Sequence, residues 1–520
     1  GALAGNGGAG TVDNSGTIST AGNMSHGIYA QSVGGGGGTG GDGSLGIEAW
    51  TSNTILNNLA DIPSNFLPSF NSTDVAIGGT AGAAGDGGAV TVHNTGNITA
   101  AGPDPSIVQR YTGIADLPPD AFLPLLAGGA GIYAQSVGGG GGNGGAGSSG
   151  LSATLTLGRA GSGGGNGGAV WVTNGGIIST GGLSGTGIFA QSVGGGGGSA
   201  GDVGLGFSDS WTQLNIGTGL GIQEDAGNGG DGGAVNVTSS GAITTTGQAA
   251  DGIIAQSIGG SGGIAALSYS SALSTTVFAG SGGANGSGGD VYVEVDAPIS
   301  VSGTGSVGVV AQSAGGAVVG NSSGTVKVEA NADISATGSG GRGILVASSS
   351  YQNQATGAVT IGIAADATVS TGAQGAETVG VFGAGAGSSL QNHGTITSGN
   401  AASYAVRVSS PFTFSVQNDG TITGSMSGTD SSAITGIDSD QLQTDGGVNG
   451  AVFGVPSSID LLNKPGGVVN AGPLLDVSHL TNQGTLAVGG QGQIGNTRLT
   501  GNLTQVDGGV LAVDLNPGGS

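Results

Sequence analysis

The sequence predicts an all-β chain wound as a right-handed parallel β-helix, a solenoid with three strands per rung and loop or hairpin insertions on one side. Three observations lead there. The first is a phrase that recurs down the chain: GIYAQSVGG at 27–35 and 131–139, GIFAQSVGG at 187–195, GIIAQSIGG at 252–260 and GVVAQSAGG at 308–316. The second is a companion phrase ahead of each copy, as in GGAVTVHNTGNITAAG at 87–102 and GGAVWVTNGGIISTGG at 167–182. The third is composition. The chain has 122 Gly in 520 residues and only 7 % charged residues, about three times and under a third of ordinary usage respectively. Disorder would also demand few β-branched residues, whereas Val, Ile and Thr recur here on a fixed pattern. Short strands separated by glycine corners satisfy both facts.

Taken in order, one rung reads as strand, Asn-Gly corner, strand, glycine corner, then the GI-x-AQS strand. Val90, Val92 and Ile98 alternate with period two, the strand signature, and Asn-x-Gly between the halves is a turn signal. The companion phrase opens the chain as GGAGTVDNSGTISTAG at 7–22 and continues as GGAVNVTSSGAITTTG at 232–247. Looser forms follow at 288–303, 324–338 and 357–372. Units repeated at such spacing cannot bury a face alone and must stack. Stacking places Ile18, Ile98, Ile178, Ile243, Ile334, Ile396 and Ile422 in one column, each contributing about 1.5–3 kcal/mol if fully buried. Asn14, Asn94, Asn174, Asn392, Asn418 and Asn482, each two residues before Gly, would form an amide ladder at the corner. Gln31, Gln135, Gln191, Gln256 and Gln312 would form a second. Within the repeated phrase Ile28, Ala30 and Ser32 share one side and Tyr29 and Gln31 the other.

Spacing between copies is uneven, and the excess marks insertions, expected just after the glycine run, at 44–80, 103–128, 148–160, 203–226 and 264–280. Residues 54–61 could make one or two helical turns. LSATLTLG at 151–158, LGFSDSWTQLNIG at 205–217 and ALSYSSALSTTVFAG at 266–280 alternate like strands and read as hairpins flanking the rod. The insertions carry the large aromatics Trp50, Phe66, Phe70, Tyr111, Phe122 and Trp211, the candidate partner-binding residues, since exposed apolar patches mark partner sites. Residues 1–387 thus read as glycine-rich rungs with insertions and 388–496 as plainer rungs, with a low-pattern stretch at 425–450. Residues 497–520 read as a terminal rung or hairpin.

Seven Lys+Arg against 31 Asp+Glu give a net charge of −24, which argues against a nucleic-acid partner and against an anionic membrane surface. Cysteine is absent, so neither disulfides nor thiolate metal sites arise, and stability must come from a long stacked core. No apolar run reaches the ~18 residues of a membrane-spanning helix. GxSxG occurs around Ser261 and Ser322, but a nucleophile elbow needs a strand-to-helix turn with a partner His and acid. His26, His93, His393 and His479 are scattered. GGTGGDGSL at 37–45 approximates a calcium nonapeptide without tandem copies; Asp42, Asp86, Asp202 and Asp231 read as isolated turn aspartates. No catalytic, metal or cofactor site is expected. Thr395-Ile396-Thr397 and Thr421-Ile422-Thr423 would give a Thr-x-Thr face on only two rungs, too short for a repetitive-surface binder. Acids assembled from separate rungs into a polysaccharide-acting enzyme are the alternative that spacing alone leaves open, with a purely structural surface filament beside it.

The GI-x-AQS-x-GG phrase, the NxG-x-I-x-T rung and the closing LTGNLTQVDGGVLAVDLNPGGS resemble the passenger domains of autotransporters, the type V secretion proteins of Gram-negative bacteria. The resemblance implies export across the outer membrane, a C-terminal outer-membrane barrel in the full-length protein, and display or release as a β-helix at the cell surface. It implies an adhesin or aggregation stalk, non-catalytic, with a host or neighbouring-cell surface protein or glycan as partner, or a second copy of itself. The closing segment is similar to the rung region just ahead of the barrel.

Overall fold

The computed structural model describes residues 1–22, 25–41, 43–45, 75–77, 80–102, 129–143, 147–149, 155–157, 160–197, 203–205, 227–261, 268–270, 286–315, 322–349, 357–400, 403–429 and 458–515. No helix occurs among them. The chain winds as a parallel β-helix of three strands per rung. Its first face is a twelve-stranded parallel sheet running in chain order from Gly10–Asn14 to Asn502–Gln505. The second face starts at Ile18–Thr20 and ends at Val510–Val513; the third runs from Ile28–Val33 to Arg498–Leu499. In the long strands Thr421–Thr429 and Val468–Asp476, second and third faces form one bent strand, with a register shift between Gly424 and Met426. Gly424 has φ 134°, which a side chain would strain, and glycine permits the bend.

Identical residues stack. Ile18, Ile98, Ile178, Ile243, Ile299, Ile334, Val369, Ile396, Ile422, Val469, Leu486 and Leu511 occupy one register column. Those from Ile98 to Leu486 are buried. The expected column therefore holds and gains Ile299, Val369, Val469, Leu486 and Leu511. In the repeated phrase Ile28, Ala30 and Ser32 face inward while Tyr29, Gln31 and Val33 face outward. The inward serine is a clamp: Ser32 Oγ donates to the Gly8 carbonyl at 2.8 Å and accepts from the Gly88 N–H of the next rung at 2.8 Å. Ser136 makes the same pair with Gly88 and Gly168.

Both amide ladders form. At the first corner Asn14 Nδ2 donates to Asn94 Oδ1 and Asn94 to Asn174 (2.7 Å each), and Asn174 hands on to Ser239 Oγ at 3.0 Å. The ladder resumes with Asn392, Asn418, Asn463 and Asn482, joined at 2.7–2.8 Å. Between the two runs Val295, Ala330 and Ile363 take the column. Asn463 escaped the sequence pattern because Lys-Pro-Gly-Gly follows it instead of x-Gly.

The glycine run does more than turn the chain. Gly35 donates to Gly5, Gly85 to Gly35, Gly139 to Gly85 and Gly165 to Gly139, each at 2.9 Å; Gly195, Gly230, Gly260 and Gly286 extend the series. The segment leaving each third strand thus interleaves with the segment entering the next first strand in a single backbone stack. A Cβ at Gly139 would collide with the Gly35 carbonyl, so side chains are excluded there by close approach.

Two expectations are corrected. In place of hairpins, the described strands of the insertions pair in parallel: Gly43–Leu45, Gly147–Ser149, Val203–Leu205 and Ser268–Ser270 stack as a side sheet, and Val75–Ile77 pairs with Leu155–Leu157, while residues 206–226 and 271–285 lie outside the described residues. Each finds its partner one rung away because rung stacking has already set the register. Insertion 103–128 leaves from the second corner, after Gly102 and before Gly129, while those after the glycine run leave from the third. Of the two forms expected for the terminal segment the rung is the one present, since Asn502–Gln505 and Val510–Val513 pair in parallel with the preceding rung. The low-pattern stretch begins inside the strand Thr421–Thr429; residues 430–457 and the expected helical turns at 54–61 lie outside the described residues.

Two substitutions test this packing. Gly139→Ala should cost about 1–3 kcal/mol through overpacking, whereas Gly140→Ala, with nothing within 4 Å of its added methyl, should be near neutral in the same thermal melts. Asn418→Ala removes the link between Asn392 and Asn463 and strands buried amides, so a loss of about 1–3 kcal/mol in denaturant unfolding is expected.

Candidate functional site

The third face carries the feature best suited to a ligand. Its outward columns begin with aromatic and amide side chains. Tyr29, Tyr133 and Phe189 stack ring on ring, with centroids 4.9 and 4.8 Å apart, and Gln31, Gln135, Gln191, Gln256 and Gln312 pass hydrogen bonds along at 2.6–3.0 Å. Further along, both columns change. The aromatics give way to Ile254, Val310 and Leu345, and the glutamines to Ala347 and Phe382. The bulky rings shrink and the ladder stops, and a groove of about 560 Å³ opens along these rungs, floored by Phe189, Ile254, Val310 and Leu345. That volume is in the usual range of small-ligand sites.

The ladder's end is unusual. Each glutamine donates its Nε2 to the next Oε1, so the last, Gln312, is left with an unspent donor. Gln312 is 6 % exposed and its Nε2 has no partner among the described residues. The asparagine ladder ends differently, with Ser239 Oγ donating to the Gly241 carbonyl at 2.9 Å. Asn392 Oδ1, where that ladder resumes, is also unpartnered, but it sits in the core beside Ile363, away from the groove.

Charged groups line the groove's other edge, at the position two residues before each inward Ile or Val of the third strand. Asp251 Oδ1 accepts the Val307 N–H at 2.7 Å, and Arg342 Nε donates to Glu377 Oε1 at 2.7 Å. Burial pushes the Asp251 carboxyl up from 3.8 to about 7, against the pull of the Val307 N–H and of the Arg342 charge. Glu377, 1 % exposed, is committed to its ion pair with Arg342. Three rungs separate Asp251 from Glu377, roughly 14 Å at strand spacing. Acid pairs that hydrolyse glycosides stand about 5–9.5 Å apart, so these two do not form such a pair.

The other sequence candidates fall apart from one another. Asp86 and Asp231 each accept a backbone N–H of the next rung, from Asn166 and Ser287, at 2.7 Å, and are corner braces. Asp42 and Asp202 lie outside the described residues, among which no cluster of three metal-ligating side chains occurs. His393 pairs with Asp419 and His479 with Asp460 on the surface. Thr395 and Thr397 stack on Thr421 and Thr423, but the flanking rungs present Thr368 with Ser370, and Val468 with Asn470. Trp50, Phe66, Phe70, Tyr111, Phe122 and Trp211 lie outside the described residues. Sequence reasoning missed the groove, although a signal existed: the variable residue of GI-x-AQS drifts from Tyr to Ile to Val, and the phrase decays to GILVASSS at 343–350. No protein-family model, curated protein or solved structure matches the chain.

The raised Asp251 pKa makes a signed prediction. Between about pH 4 and 7 the unfolded chain has ionised at Asp251 while the folded chain holds its proton, so this group lowers stability as pH rises through that window. Asp251→Asn keeps the acceptor for Val307 and should raise the melting temperature at pH 8 while leaving it nearly unchanged at pH 4. Equal shifts at both pH values would contradict the assignment.

Proposed function

We propose that the chain is the passenger rod of an autotransporter-type protein, displayed at a Gram-negative cell surface as an adhesin or aggregation stalk. The observation that carries this reading is the groove itself. It lies on the flank of a stacked rod and offers amides and aliphatic surface, the chemistry of recognition, in place of converging acids and a nucleophile. The twelve-stranded first face gives a rod on the order of 50 Å long at strand spacing, suited to holding a binding surface away from a membrane. A net charge of −24 keeps such rods soluble at high local density. The partner is a protein or glycan of a host or neighbouring cell, or a second rod.

Fusion of the chain to an outer-membrane barrel and display on a non-adherent Gram-negative strain tests the reading. Displaying cells should clump or attach where barrel-only cells do not. Unchanged attachment at verified surface display, together with cleavage of a polysaccharide panel by the purified rod, would replace adhesion with the enzymatic alternative.

A further inference from the structure

The groove's chemistry narrows its ligand beyond a general adhesive role, and the assignment rests on that role only for its biological setting. Two features must be satisfied together. The Gln312 amide donor has no acceptor among the described residues. Beside it, at the position where the ladder would place another glutamine, stands Ala347, which leaves space over an apolar floor of Val310 and Leu345. Asp251 stands at the groove's far edge, five positions before the glutamine column and roughly 16 Å from it at strand rise.

A sugar bearing only hydroxyls would press polar groups against the aliphatic floor at a desolvation cost. An extended peptide would seek a free strand edge, but the third-face strands lining the groove spend their backbone groups on neighbouring rungs. An anionic sugar would meet a chain of net charge −24 whose groove cation, Arg342, is held by Glu377. A neutral acetamido group meets both requirements: its carbonyl accepts from an amide and its methyl rests on aliphatic carbon.

We propose that the groove binds neutral oligosaccharides containing N-acetylhexosamine, with the acetamido group seated over Ala347 as the missing next member of the glutamine ladder. The acetamido carbonyl takes the Gln312 Nε2 hydrogen bond after a small rotation about the terminal side-chain torsion, which is soft in glutamine. Its methyl contacts Leu345 and Val310.

Calorimetric titration of the purified chain with tri-N-acetylchitotriose, an N-acetylgalactosamine disaccharide, and cellotriose tests this. At least one acetylated probe should bind roughly tenfold or more tightly than cellotriose, the worth of one buried hydrogen bond. A347Q puts the chain's own amide in the acetamido position. It should abolish that preference while holding or raising the melting temperature, because the ladder gains a member. Gln312→Leu should weaken acetylated probes and leave cellotriose unchanged, and Gln31→Ala, at the remote end of the ladder, should change neither. Equal affinity for cellotriose, no saturable binding of either acetylated probe at millimolar concentration, full binding by A347Q, or tighter binding of an asparagine-containing peptide would each overturn the assignment. Selective glycan binding by a rod that does not attach cells would sink the adhesive reading alone. Attachment undiminished by A347Q would sink the glycan assignment alone.

Discussion

In a parallel stack of rungs every side chain meets its counterpart one strand spacing away, about 4.8 Å, and the rest of the structure depends on that meeting being favourable at every position. Inward, branched aliphatics satisfy it by filling the column that runs from Ile98 to Leu486. Outward and at corners, amides satisfy it because a carboxamide carries a donor and an acceptor and bonds to its own kind indefinitely. Like charges repel at this distance, which fits a chain with only 7 % charged residues and the pairing of Arg342 with Glu377 on the next rung; Glu294 stacked on Glu329 is an exception, and Glu329 is paired with Lys327.

The same constraint governs the third corner. There the segments of successive rungs interleave so closely that the Gly35 and Gly85 carbonyls occupy the space where side chains would stand on Gly139 and Gly165. Backbone hydrogen bonds replace side-chain packing altogether. The inward serines of the repeated phrase bind this glycine stack to the third face, each bridging its own rung and the next. AQS is thus a small core residue, a ladder amide and a clamp.

Where a ladder stops, the stack must find another way to satisfy the last polar atom. The asparagine run closes on Ser239, whose hydroxyl turns its proton to a carbonyl. The glutamine run has no such closure at Gln312. Its neighbouring column has lost its rings two rungs earlier, after Phe189, so the unspent donor lies in a stretch where the groove is already open. The groove arises here by interruption of the repeat, without any added element, and the carboxyl of Asp251 lines its far edge.

Strand period, the Asn-x-Gly corner and the recurring GI-x-AQS phrase were enough to settle the three-strand rung, the division of the phrase into two sides and both amide ladders, because each depends on local pattern plus repetition; burial decided that Ile28, Ala30 and Ser32 are the inward side. Asn463 was hidden, since its corner is closed by a proline turn in place of the usual x-Gly. Interleaving of the glycine segments, parallel pairing of the insertion strands and the departure of 103–128 from the second corner depend on which residues of different rungs face one another. The sequence by itself determined the repeating unit, because a rung is specified within a few dozen residues. Only the tertiary structure decided the site. The groove is made of Phe189, Ile254, Val310 and Leu345 with Gln312, Asp251 and Arg342, residues that stacking brings side by side from positions as far apart as 189 and 345.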